Sequence, residues 1–173
     1  MDKDYNLGYG RELEALHISG ARYLVIGGIA MVLHRHPRTT DDLDIIPDLE
    51  QSNLDKIVRV LNNFGYKPKL PYVTLEDFKD AEKRKLWITE KNMKAFCLVN
   101  SDVPPGTIDI MVSSPLNFEE AYKRKKVEKL PNGSEVPLAS LEDLLKLKLQ
   151  AGRIKDLADI VVLEKFILRR KDD

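Results

Sequence analysis

Apolar positions along the chain alternate between two spacings, and the switches between them mark the elements. From Arg11 to Ser19, Leu13 and Leu16 recur at helical spacing, with Ile18 a third inward candidate and Gly20 the stop. Tyr23 to Ile26 is a short apolar run that reads as a buried strand. Gly27-Gly28 then reads as a turn, and Ile29 to His34 as a helix halted by Pro37. Arg38 to Ile46 alternates like a strand, ended by Pro47. Leu54, Ile57, Val58 and Leu61 predict a helix across Leu49 to Phe64, closed by Gly65.

Beyond that point the pattern weakens. Tyr66 to Leu86 is polar and mixed, and predicts irregular chain with one short helix near Leu75 to Arg84. Lys94 to Val99 and Thr107 to Val112 read as strands, joined by a turn at Val103-Pro104-Pro105-Gly106. Asn117 to Lys125 predicts a helix. Leu130 to Leu138 predicts a hairpin or edge strand around Pro131-Asn132-Gly133. Ser140 with Asp143 approximates a capping box ahead of Leu141, Leu144, Leu145, Leu147 and Leu149. Gly152 breaks that helix, and a last one runs from about Lys155 to Leu168. The expected fold is α+β in one domain over 1–173. A mixed sheet flanked by helices occupies about 20–138, and a helical part about 139–171.

The placement of acids inside this pattern raises the chemical question. In RTTDDLDII, side chains two apart share a strand face, so Arg38, Thr40, Asp42 and Asp44 point one way while Leu43 and Ile45 point into the core. Asp41 falls off the shared face. Asp109 sits between Ile108 and Ile110 in TIDIMV, and a buried carboxylate there needs a partner. Three carboxylates on neighbouring strands would repel one another unless cations lie between them. Hard oxygen ligands of this kind suit Mg²⁺, with Mn²⁺ as the substitute, and two such ions suit in-line displacement at phosphorus. Gly27-Gly28, after a strand and before a helix, permits close backbone approach to a phosphate.

Composition limits the alternatives. Apolar residues make up 43 % and charged residues 32 %, with formal net charge zero, so no global field draws the chain to nucleic acid or membrane. Lys123-Arg124-Lys125-Lys126, Lys83-Arg84-Lys85 and Arg169-Arg170-Lys171 read first as solvated faces. The single cysteine, Cys97, reads as a small apolar strand residue. No apolar run spans a bilayer, and a cytoplasmic location is expected. His34 and His36 lack further zinc ligands at suitable spacing. Trp87 and Tyr72 could stack a base, though packing explains each as well.

The ordered set IGGIAMVL, RTTDDLDI and TIDIM resembles the signature of the DNA polymerase beta-like nucleotidyltransferase superfamily. Thirteen residues separate Gly28 from Asp42, consistent with that signature. The Arg38-x-Thr40-x-Asp42-x-Asp44 run and the late LEDLLKLKLQAGRIKDLADI segment look like its small prokaryotic branch, which includes abortive-infection-type toxins. The resemblance implies a metal-dependent enzyme that moves a nucleoside monophosphate from an NTP to an acceptor hydroxyl, releasing pyrophosphate. The acceptor would be RNA, protein or a small molecule. It implies that Asp42 and Asp44 bind both ions, that Asp109 binds the catalytic ion and helps deprotonate the acceptor, and that Gly27 and Gly28 cradle the outer phosphates. Arg38 and Thr40 would steady the loop or a phosphate, and Lys148 and Arg153 would neutralise triphosphate charge. Arg153 and Asp156, three apart, could equally pair on a helix surface, and Asp159 remains open. Two other readings stand beside it. One is a non-catalytic nucleotide-binding or antitoxin-like interaction module on the same fold. The other, a metal-dependent phosphohydrolase, leaves Gly27-Gly28 unexplained.

Overall fold

The computed structural model describes residues 8–36, 38–102 and 106–171, so the proposed stop at Pro37 and the turn over Val103, Pro104 and Pro105 lie outside the described residues. Among these residues seven strands form one sheet: β1 (Tyr23–Ile26), β2 (Asp42–Pro47), β3 (Lys67–Pro68), β4 (Ala95–Val99), β5 (Thr107–Met111), β6 (Lys126–Lys129) and β7 (Glu135–Leu138). Their spatial order is β3-β4-β5-β2-β1-β7-β6. Pairing is mixed. β2 runs antiparallel to β1 but parallel to β5, and β7 runs parallel to β1.

Among the described residues eight α-helices join them: α1 (Gly10–Ile18), α2 (Gly27–Leu33), α3 (Gln51–Asn63), α4 (Leu75–Lys79), α5 (Ala81–Lys91), α6 (Phe118–Lys123), α7 (Leu141–Ala151) and α8 (Leu157–Lys171). No helix among the described residues is long and apolar enough to cross a membrane. Leu13 and Leu16 of α1 enter the core, but Ile18 points out to solvent, because two residues past Leu16 it lies about 200° around the helix, on the opposite face. Leu54, Ile57, Val58 and Leu61 carry α3 onto the sheet as their spacing predicts.

Several boundaries differ from the sequence expectation, each for a local reason. β2 begins at Asp42 rather than Arg38 and includes Pro47, which sits opposite Tyr23 at the end of the ladder. α2 starts at Gly27 itself, so the two glycines open the helix instead of preceding it. The mixed segment after Gly65 holds β3 and two helices. Thr74 and Asp77 form a full reciprocal capping box for α4, and Asp80 caps α5 through the Glu82 and Lys83 N–H groups. Trp87 of α5 stacks on Phe96, as does Phe78 of α4, so Trp87 is a core residue. Ser140 caps α7 as expected. The carboxylate of Asp143, however, turns to Arg124 in a two-pronged ion pair at 2.8 and 2.6 Å. Gly152 closes α7 in a left-handed conformation, and a 3-10 turn, Ile154–Asp156, leads into α8.

Candidate active site

β2 and β5 meet in a register that places Asp42 beside Thr107 and Asp44 beside Asp109. Leu43, Ile45, Ile108 and Ile110 on these strands are fully buried, so the three aspartates share the opposite face. Adjacent strands stand about 4.8 Å apart, so Asp44 and Asp109 are immediate neighbours. Burial, then the negative charges of Asp109 and Asp42, push the Asp44 carboxyl up to about 7, against the pull of Arg153 and Lys148. Oδ1 of Asp109 is buried and has no hydrogen-bond partner among the described residues. A buried carboxylate oxygen left unpaired is costly, and a cation would satisfy it. Among the described residues no three His, Cys, Asp or Glu side chains converge into a ready-made metal cage. The unpartnered Asp109 oxygen beside Asp44 is a carboxylate donor set of the kind that suits a hard cation such as Mg²⁺, which keeps water and takes substrate oxygens as further ligands.

The two glycines fit against this row. Gly27 has φ +66, and a Cβ there would lie 2.1 Å from Oδ2 of Asp44. A Cβ on Gly28 would lie 2.2 Å from Oγ1 of Thr40. The pair thus makes room for the carboxylate and for the hydroxyl that precedes the strand. Thr40 and Arg38 lie outside the β2 ladder, which corrects the expectation that they continue the strand face. Thr40 reaches the site by packing on Gly28.

Arg38 is held by the C-terminal helices. It forms an ion pair with Asp159, which also accepts from Lys148 Nζ at 2.7 Å and has His36 Nε2 at 3.7 Å. Lys148 donates to Asp156 Oδ1 at 3.0 Å, and Arg153 Nε donates to Asp156 Oδ2 at 2.6 Å. Lys148, Asp156 and Asp159 are all buried. Burial alone would raise the Asp156 carboxyl, but hydrogen bonds from Arg153 and Lys148 hold it below the usual carboxylate range. The Arg153–Asp156 helix pair was readable at i, i+3; the buried ties of Lys148 across the α7–α8 break were not. Lys148 and Arg153 still stand close enough to Asp44 to favour its charged form.

Three further residues have roles that spacing alone does not reveal. The Tyr9 hydroxyl lies 2.6 Å from the carbonyl oxygens of both Asp41 and Thr107 and accepts the Thr107 N–H at 3.0 Å. It fastens the starts of β2 and β5 together, and burial pushes its phenol up to about 12. Cys97 stands opposite Asp109 on β4, so it faces the site instead of packing as a purely apolar residue. Burial, with the hydrogen bond and charge of Asp109, pushes its thiol up to about 12, which keeps it protonated and unreactive. His34 donates from Nε2 to the Ala139 carbonyl at 2.8 Å, and burial lowers its pKa, so it is a neutral tie between α2 and β7.

Much of the suspected basic surface is engaged elsewhere. Lys123 pairs with Glu120, Arg124 with Asp143, Lys126 with Glu128 and Lys83 with Asp77. Arg84 is buried and donates to the Phe78 carbonyl. A depression between α3 and α4, bordered by Asp55, Arg59, Glu76 and Lys79, contains none of the residues above.

The fold has solved counterparts. LnuA, a lincosamide antibiotic adenylyltransferase seen with lincomycin bound, aligns with a TM-score of 0.58 at 16 % identity, over 92 % of this chain and 96 % of its own. TM1012 of Thermotoga maritima, provisionally assigned as a nucleotidyltransferase, aligns with a TM-score of 0.55 at 16 % identity, over 95 % of each chain. Comparison with curated proteins finds no match. The family described as "Nucleotidyl transferase AbiEii toxin, Type IV TA system" matches residues 13–172. With the match covering the carboxylate strands, the glycine pair and the late helices alike, this chain belongs to the AbiEii nucleotidyltransferase family.

Proposed function

We propose that the protein transfers a nucleoside monophosphate from an NTP to an acceptor hydroxyl, as the toxin half of a toxin–antitoxin pair. The observation that carries this reading is the side-by-side placement of Asp44 and Asp109, with one Asp109 oxygen buried and unpaired. Asp42, Asp44 and Asp109 would hold Mg²⁺, or Mn²⁺ in its place, which when bound stabilises charge developing at the transferred phosphoryl group.

The chain's own residues supply the rest. Gly27 and Gly28, at the start of α2, would offer backbone N–H groups to the outer phosphates. Arg153, beside Asp44, contributes positive charge toward them, with Lys148 behind it. Asp109 accepts the proton of the attacking hydroxyl. The new O–P bond forms at the α-phosphorus as the bond to pyrophosphate breaks, and pyrophosphate leaves with the electron pair. Positioning and preorganised charge account for most of the rate in such a site.

Incubation with each α-³²P-labelled NTP and total cellular RNA, protein or small molecules tests the reading. Wild type is expected to label one acceptor class in a Mg²⁺-dependent manner. Asp44→Asn and Asp109→Asn are each expected to lower labelling by roughly 100-fold or more. Labelling that persists undiminished in both variants overturns the assignment.

A further inference from the structure

On the β5 side of the aspartates, the sheet face stays open. In β4 and β5 every second residue is buried: Phe96, Leu98, Ile108 and Ile110 enter the core. Cys97, Val99, Thr107 and Asp109 face the other way, and Val99 is 37 % exposed. β3 lies antiparallel along the outer edge of β4, with Lys67 opposite Val99. The chain continues that ladder one residue further, since the Lys69 N–H donates to the Cys97 carbonyl at 2.9 Å. Paired residues project on the same face, so Lys67 and Lys69 share the face of the aspartates.

Two rows therefore cross the sheet. One runs Lys69, Cys97, Asp109, Asp44; the other runs Lys67, Val99, Thr107, Asp42. Two strand spacings put Lys69 roughly 10 Å from Asp109 at Cα. Both lysines are exposed, and among the described residues neither enters an ion pair.

Positive charge thus flanks the aspartates on both sides. Arg153 and Lys148 stand by Asp44, near the glycine pair; Lys67 and Lys69 stand beyond Asp109. In-line displacement brings the acceptor in opposite the departing pyrophosphate. If the triphosphate lies on the glycine side, the acceptor enters across β5 and β4. We propose that this strip seats the acceptor, and that Lys67 and Lys69 bind a phosphate group that the acceptor carries near its reacting hydroxyl. The proposal rests on the nucleotidyl-transfer reading above. In the step itself, the acceptor O–H proton passes to Asp109, the O–Pα bond forms and the Pα–O bond to pyrophosphate breaks. The lysines hold the acceptor and exchange no proton.

Edge lysines also discourage strand-to-strand association, but that role is indifferent to what a small ligand carries. The test uses the full chain with Mg²⁺ and saturating α,β-methylene NTPs to fill the donor site. Two probe pairs are titrated by calorimetry: the dinucleotide ApA against its uncharged methylphosphonate twin, and glycerol 3-phosphate against glycerol. Wild type is expected to bind at least one charged probe about tenfold more tightly than its uncharged twin. The preference should shrink with salt and vanish in Lys67→Glu/Lys69→Glu, and weaken in Lys67→Gln/Lys69→Gln, at unchanged Tm and unchanged NTP-analogue binding. Preference for ApA assigns the phosphate to a diester backbone, and preference for glycerol 3-phosphate assigns it to a free monoester. Equal binding of charged and uncharged twins, or a preference that survives the charge reversal, overturns the proposal. The probes are also titrated without nucleotide. If no NTP analogue binds, the donor reading fails while the lysine contact is still judged on its own.

Discussion

Thr40 and Gly28 share a space that admits only one side chain. Gly28 has no left-handed backbone, so the whole cost of Gly28→Ala is the contact with Thr40 Oγ1 and Cβ, at 2.2 and 2.6 Å. Overpacking of that kind costs about 1–3 kcal/mol. Adding Thr40→Gly should recover much of it in urea denaturation. Gly27→Ala meets both the Asp44 carboxylate and a φ of +66, so adding Asp44→Gly should relieve only the clash and leave the backbone cost, about 1–2 kcal/mol, in place. Equal rescue at the two positions would contradict this account. Asp44 has a pH signature as well. Its carboxyl rises from 3.8 to about 7 on folding, so between about pH 4 and 7 the native protein keeps a proton that the unfolded chain loses. Rising pH therefore drains stability across that window. In EDTA, Asp44→Asn should exceed wild type by on the order of 4 kcal/mol at pH 8, and the gain should fade toward pH 4. Added Mg²⁺ should narrow the gap, since it stabilises only the native protein that retains the carboxylate. A less stable Asp44→Asn at pH 8 would show that the aspartates do not repel one another.

At the scale of elements, the late helices carry a structural duty as well as any contact with substrate. Lys148 bridges Asp156 and Asp159 while buried, and Asp159 in turn holds Arg38 ahead of β2. Lys148→Met leaves two buried carboxylates without that cation and should cost about 3–5 kcal/mol by denaturant unfolding. A variant as stable as wild type but without activity would make Lys148 a substrate contact alone. The same network explains where the sequence could be read and where it could not. Arg153 and Asp156 sit at helical spacing and are readable as a pair, whereas Lys148 and Asp159 meet only because Gly152 turns the chain back. Likewise, alternation from Arg38 onward imitates a strand, yet Arg38 and Thr40 leave the ladder for Asp159 and Gly28. Thr74 and Asp80 announce their helices through caps, but the polar surface of α4 and α5 hides the period that the core side chains Phe78 and Trp87 reveal.

For the molecule as a whole, the three aspartates and the glycine pair were legible as an ordered set. Their type and their flanking apolar residues are local properties, and local properties survive in a sequence. The register that sets Asp44 beside Asp109 is not local, nor is the Tyr9 hydroxyl that joins residues 41 and 107. Both depend on a strand order that separates neighbours in the chain, since β5 inserts between β2 and β4.

That insertion has a consequence in time. β1 and β2 can pair as soon as they are made, and the edge formed by β3 and β4 follows, but the two parts have no common strand until Thr107–Met111 arrives. A ribosome-bound chain that ends before residue 107 has two of its three acids and no seam to set them against. A product of abandoned synthesis that stops short of β5 therefore lacks the Asp44–Asp109 pairing altogether.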